Sequence, residues 1–167
     1  TVDHMGNVVG GRPILYVNTP VEQIREITAS ILASGRAVWF GADCGQQSDR
    51  ASGLFVEGLY DFDNLFGVDF STSKEQRVNT GESAMNHAML FTGVDIDEEG
   101  NARRFRVENS WGEEPGEKGF FTMDAAWFDA NVFEVAVHVD DLPENLRSVI
   151  TEEPLHLPAW DPMGALA

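Results

Sequence analysis

A chain of 167 residues, 43% hydrophobic and 23% charged, has room for one domain with a substantial core. Its 28 acidic against 11 basic residues give a net charge of −17, which repels phosphate backbones and argues against nucleic-acid binding; solubility is the favoured reading of this charge, and attraction of cationic groups such as a peptide's free amino terminus the alternative. No apolar run approaches the ~20 residues of a membrane-spanning helix, residues 1–11 lack the basic and apolar regions of a signal peptide, and a single cysteine, Cys44, excludes an internal disulfide, so a soluble cytoplasmic protein is expected.

Residues 1–19 read as a connecting segment, rich in glycine, with a short apolar run over Ile14, Leu15, Tyr16 and Val17 that suits a strand. The segment does not begin with methionine, which suggests a piece of something longer. A helix follows: Thr19 as cap, Pro20 at the first helical position, and Glu22 three residues after the cap predict a capping box. Val21, Ile24, Ile27 and Ile31 form its apolar face, and Ser34-Gly35 ends it. Ala37, Val38, Trp39 and Phe40 then read as a buried strand.

Residues 41–80 are broken by glycines and read as a packed loop region with short helical turns, anchored by Leu54, Phe55, Leu59, Tyr60, Phe62, Leu65 and Phe66. Residues 85–96 and 103–111 read as two strands joined by the turn Asp97-Glu98-Glu99-Gly100-Asn101, an acidic-glycine hairpin. A strand over 119–123, a brief helix capped by Asp124, and a strand over 132–139 carrying His138 as a packing residue complete a domain spanning 20–142. Pro154, Pro158 and Pro162 then favour an extended tail over 143–167. Met85, Met89 and Met123 are expected in the core.

Chemistry gathers at His87. It opens the first strand of the hairpin, and the second strand ends at Glu108-Asn109-Ser110-Trp111-Gly112, so the antiparallel return can set Asn109 beside His87. That pair suits a cysteine peptidase: an imidazolium stabilises a thiolate and later protonates the leaving amine, while a neutral amide oxygen fixes the ring without making it a strong base. Trp111 can shield the hydrogen bond from water. A lone His near an Asn is more often the mark of a buried structural histidine; the whole Asn-Ser-Trp-Gly string, followed by Gly119-Phe120-Phe121, is more specific.

Four stretches carry a resemblance: Val38-Trp39-Phe40-Gly41, Gly81-Glu82-Ser83-Ala84-Met85-Asn86-His87-Ala88-Met89, Arg106-Val107-Glu108-Asn109-Ser110-Trp111-Gly112, and the terminal Leu157-Pro158-Ala159-Trp160-Asp161-Pro162-Met163-Gly164-Ala165-Leu166-Ala167. Over most of its length the chain resembles the carboxy-terminal part of the bleomycin hydrolase and aminopeptidase C family of papain-like cysteine peptidases. The resemblance implies an α+β fold, the β-rich half of the papain-like architecture, with an antiparallel sheet and packed helices. It implies His87 as catalytic histidine, Asn109 as its orienting partner and Trp111 as cover. It further implies a tail that reaches the active site, with the Ala167 carboxylate anchoring the substrate's ammonium and blocking longer chains.

The implied activity is removal of amino-terminal residues from peptides through a thioester, in an assembly that is a homohexamer across the family. The family's nucleophilic cysteine follows a glutamine-containing, glycine-rich stretch that is absent here, so the missing amino-terminal part of the same protein is expected to supply it. Cys44 reproduces the papain order of Cys, His and Asn, but no apolar helical stripe follows it and Asp43 adjoins it. An incidental thiol is the favoured reading, and Gln46 and Gln47 as oxyanion donors fall with it. The fragment alone is expected to be inactive. A non-catalytic peptide-binding module that kept the peptidase fold is the alternative. His4, His138 and His156 show no metal-ligand spacing, no phosphate loop is present, and no cofactor or metal is expected.

Overall fold

A computed structural model describes residues 1–6, 8–11 and 14–164. The architecture is α+β: one seven-stranded sheet, ordered β2-β3-β6-β5-β4-β1-β7, with helices packed against it. Helix α1 spans Val21–Ala33, followed by β1 (Val38–Ala42), β2 (Ser48–Asp49), β3 (Leu54–Phe55) and two short helices, α2 (Phe62–Phe66) and α3 (Lys74–Asn79). Then come β4 (His87–Ile96), β5 (Ala102–Glu108), β6 (Phe120–Asp124), α4 (Ala125–Asn131), β7 (Val132–Ala136) and α5 (Glu144–Val149). Neighbouring strands pair antiparallel except β3 and β6, which run parallel. Among the described residues no helix is long and apolar enough to cross a membrane.

An aromatic stack organises the core. Phe40 of β1 and Phe91 of β4 stack with ring centroids 3.7 Å apart, and Phe128 of α4 packs on both Phe91 and Phe105. Phe55, Phe121 and Trp127 extend this layer toward β3 and β6. These rings are fully or almost fully buried, as are Met89 and Met123, while Met85 is buried just outside the main cluster. Such rings bury large areas and gain further from offset or tilted contacts. The α1 stripe is wider than expected: Thr28, Ala29, Ile31 and Leu32 are buried, and Val21, Ile24 and Ile27 pack partly buried against the core.

Several local expectations change. Residues 14–17 form no strand; the Ile14 carbonyl instead accepts the Thr1 hydroxyl. The capping box at α1 is not formed, because the Thr19 hydroxyl turns to the Gln23 side chain and no side chain caps the first turn. A capping box exists at α3, between Ser73 and Gln76. Strand β7 stops at Ala136, whose partner Trp39 lies one residue inside the start of β1, so the ladder runs out. His138 therefore lies beyond the sheet, with its side chain 71% exposed, and accepts from the Asp140 N–H at the start of a 3-10 turn. Of the apolar anchors expected across 41–80, Phe55 is buried, whereas Tyr60, Phe62, Leu65 and Phe66 are exposed. A short helix, α5, opens the carboxy-terminal segment. The described part of that segment returns to the amino terminus, where Leu157 bridges Val2. Ala167, assigned by resemblance to anchor substrate, lies outside the described residues.

Candidate active site

Two strand ends bring His87 and Asn109 together. Ala42, the last residue of β1, pairs with His87, the first of β4, so the histidine enters the sheet at a fixed register. Strand β5 returns antiparallel with Glu108 opposite Leu90, and Asn109 follows at once. The Asn109 N–H donates to the Gly119 carbonyl at 3.1 Å, holding the residue at the head of β6. Gly119 has φ of +85°, and a Cβ there would stand 2.7 Å from the Gly112 carbonyl oxygen, so the loop closes only on glycine.

His87 Nε2 and Asn109 Oδ1 lie 2.9 Å apart, both side chains part-buried. The same Oδ1 accepts the Ser110 N–H at 2.8 Å, which identifies that atom as the oxygen of the amide. An oxygen only accepts here, so Nε2 carries the proton and donates, and Nδ1 is the ring nitrogen left to exchange protons. Trp111 stacks on the imidazole with centroids 4.9 Å apart and planes 17° from parallel. Its own edge rests on the buried Phe121 ring. Asn109 Nδ2 is buried with no hydrogen-bond partner among the described residues.

Behind His87 lies a polar cluster built on the buried Asp43 and Ser83. Asp43, 3% exposed at the end of β1, accepts from the Ser83 hydroxyl at 2.8 Å and the Asn86 amide at 2.6 Å. It also accepts from Gln46 and the Gly45 N–H, while Asn86 Oδ1 takes the Cys44 N–H at 3.0 Å. These bonds tie the segment preceding His87 to the turn after β1. The available signal was an acid continuing directly from an apolar strand, a place where burial demands partners.

Cys44 sits in that turn, half-buried against the core, with no helix beginning at it. Burial pushes its thiol pKa up, and the neighbouring Asp43 charge adds to the rise. Among the described residues no hydrogen bond joins its sulfur to His87, and no group of three or more His, Cys, Asp or Glu side chains is placed to hold a metal. Gln46 is occupied with Asp43 and the Glu82 carbonyl, and Gln47 with the Tyr60 N–H.

The sequence profile of the Peptidase C1-like family matches residues 1–164. The chain is 44% identical over 170 residues to an aminopeptidase C from Lactobacillus helveticus, covering 100% of this chain and 38% of that protein. It is 45% identical over 170 residues to a bleomycin hydrolase from Homo sapiens, covering 100% of this chain and 37% of that one. A crystal structure of PepW from Lactobacillus rhamnosis HN001 is 45% identical and superposes with a TM-score of 0.95, over 100% of this chain and 38% of that chain. The chain thus spans well under half the length of the relatives it matches.

Proposed function

The chain belongs to the Peptidase C1-like family, and from that membership we propose that it supplies the histidine and asparagine of a cysteine aminopeptidase of the bleomycin hydrolase type, as its carboxy-terminal part. The observation that carries this reading is the His87 Nε2 to Asn109 Oδ1 contact of 2.9 Å beneath the Trp111 ring. With Nε2–H committed to Asn109, Nδ1 faces the reaction. A thiolate from outside these residues attacks the carbonyl carbon of the first peptide bond. As the C–N bond breaks, Nδ1 of the imidazolium gives its proton to the leaving amine and a thioester remains. Water then adds to the thioester: Nδ1 takes one of its protons, the carboxylic acid is released and the thiolate–imidazolium pair is restored.

Cys44 is not that nucleophile on this reading. Its pKa is raised, its backbone N–H is held by Asn86, and it lacks the helix amino terminus that favours a thiolate. The resemblance assigns the Ala167 carboxylate to the substrate's ammonium, which makes the activity an exopeptidase one.

The test uses fluorogenic aminoacyl substrates on this chain and on a longer protein that includes a nucleophile-bearing segment. The longer protein is expected to be active and this chain inactive. His87→Ala should lower kcat by about 10²–10⁴. A longer protein that contains the cysteine but releases no amine would overturn the reading. Activity in the 167-residue chain that Cys44→Ala abolishes would instead make Cys44 the nucleophile.

A further inference from the structure

Arg50 stands at the same indole as the catalytic pair. Its guanidinium carbon lies 5.1 Å from the Trp111 ring centroid, and the His87 ring lies 4.9 Å from Trp111 in a near-parallel stack. The turn that presents Arg50 is tied down at several points. Asp49 accepts the Ala51 and Ser52 N–H groups at 3.3 and 3.1 Å, so the acid beside Arg50 serves the turn rather than the arginine. The Gly53 N–H closes the turn onto the Asp49 carbonyl, and Gly116 donates to the Ala51 carbonyl. Gly53, at φ of +70°, lies against Gly116 so closely that a Cβ would come 2.5 Å from the Gly116 Cα. The Arg50 turn and the loop that follows Trp111 are therefore built as one piece.

Arg50 is also an uncommitted cation. Arg25, Arg36, Arg103 and Arg147 each meet a carboxylate, and Lys74 and Arg77 are spent on backbone carbonyls near the end of α4. Among the described residues Arg50 has no salt-bridge or hydrogen-bond partner and rests on the indole face, in a chain with 28 acidic residues. A guanidinium on an aromatic ring keeps its N–H groups free at its edge, where a carboxylate accepts two of them in parallel.

Which part of a substrate reaches this edge follows from the proton transfer. His87 protonates the leaving amine, so the chain beyond the scissile bond passes over the imidazole. The two contacts on the indole put the guanidinium carbon no more than about 10 Å from the imidazole centre, a span that the hydrogen bond to the leaving amine, one residue of roughly 3.5 Å and a carboxylate–guanidinium bond together cover. We infer that Arg50 binds the free carboxylate of a short leaving group, making dipeptides and similarly short carboxylate-ended peptides the favoured substrates. The inference rests on the peptidase reading above and adds the recognition of the other end of the substrate.

The experiment compares Leu-Gly with leucylglycinamide on the complete enzyme, intact and with Arg50→Met or Arg50→Lys. Met keeps the apolar stem on the indole and removes the charge. Arg50→Met should lower kcat/KM for Leu-Gly about tenfold or more, mostly through KM, and change it less than about twofold for the amide. Arg50→Lys, a point charge without the fork, should fall between. Equal losses on both substrates, or none on Leu-Gly, would overturn the inference while leaving the peptidase reading intact. If the intact enzyme releases leucine from neither substrate, the two readings fall together.

Discussion

The amide oxygen of Asn109 receives the His87 ring N–H and the Ser110 backbone N–H, so its orientation follows from the fold on one side and serves the imidazole on the other. Asp43 has the complementary position. Its carboxylate collects donors from Ser83, Asn86, Gln46 and Gly45, and removing it strands the Ser83 hydroxyl and Asn86 amide. The orphaned hydroxyl of the buried Ser83 and the cavity left behind make Asp43→Ala cost about 2 kcal/mol of unfolding free energy, with Asp43→Asn milder because one acceptor survives. Urea denaturation decides this; an Asp43→Ala protein as stable as the parent would mean that the cluster is ornamental. His87, Asn109 and Trp111 were legible because their spacing and residue types are themselves chemical signals. Asp43 and Arg50 were not, since burial and an indole contact arise only when β1, the hairpin and the 112–119 loop meet in space.

At the level of elements, a local sequence signal holds where one residue type decides the outcome and fails where a neighbour intervenes. Asp124 caps α4 as its sequence implies, accepting the Trp127 N–H at 2.7 Å. Thr19 is also a residue type that caps helices, yet its hydroxyl donates to the side chain of Gln23. Asp124→Ala should therefore cost about 1 kcal/mol, and Thr19→Ala less than about 0.5 kcal/mol, in paired urea titrations. Comparable losses at both sites would contradict the hydrogen-bond assignment. The 41–80 region shows the limit of composition alone. Tyr60, Phe62, Phe66 and Phe70 form a chain of ring contacts on the surface, where apolar type had suggested interior anchors. Helix α3 has no buried residue and is held by its cations: Lys74 reaches the Asp129 and Val132 carbonyls, and Arg77 those of Ala130 and the Asn131 side chain. Both meet the carboxy-terminal end of α4, where the helix dipole favours positive charge.

For the whole molecule, those same contacts couple stability to pH. Desolvation lowers the Lys74 pKa from 10.5 to about 8, despite the nearby Asp129 and Glu22 charges, and Arg77 adds to the fall. A folded-state pKa below the unfolded value means that the folded chain binds the proton less tightly. Below both values the lysine is charged in each state and its burial is a penalty. Between about 8 and 10.5 the unfolded chain holds more protons, so rising pH favours folding and relieves that penalty by up to about 3 kcal/mol. Lys74→Met loses the hydrogen bonds to Asp129 and Val132, an offset that does not vary with pH, and also loses the titration. The stability of the parent relative to Lys74→Met should therefore rise from pH 7 to pH 10, read as urea midpoints at matched ionic strength. Matching the salt is essential, because a chain of net charge −17 repels itself and screening alone shifts its stability. A difference that stays flat across the window would mean that Lys74 keeps its solution pKa, with its ammonium in water rather than against the end of α4.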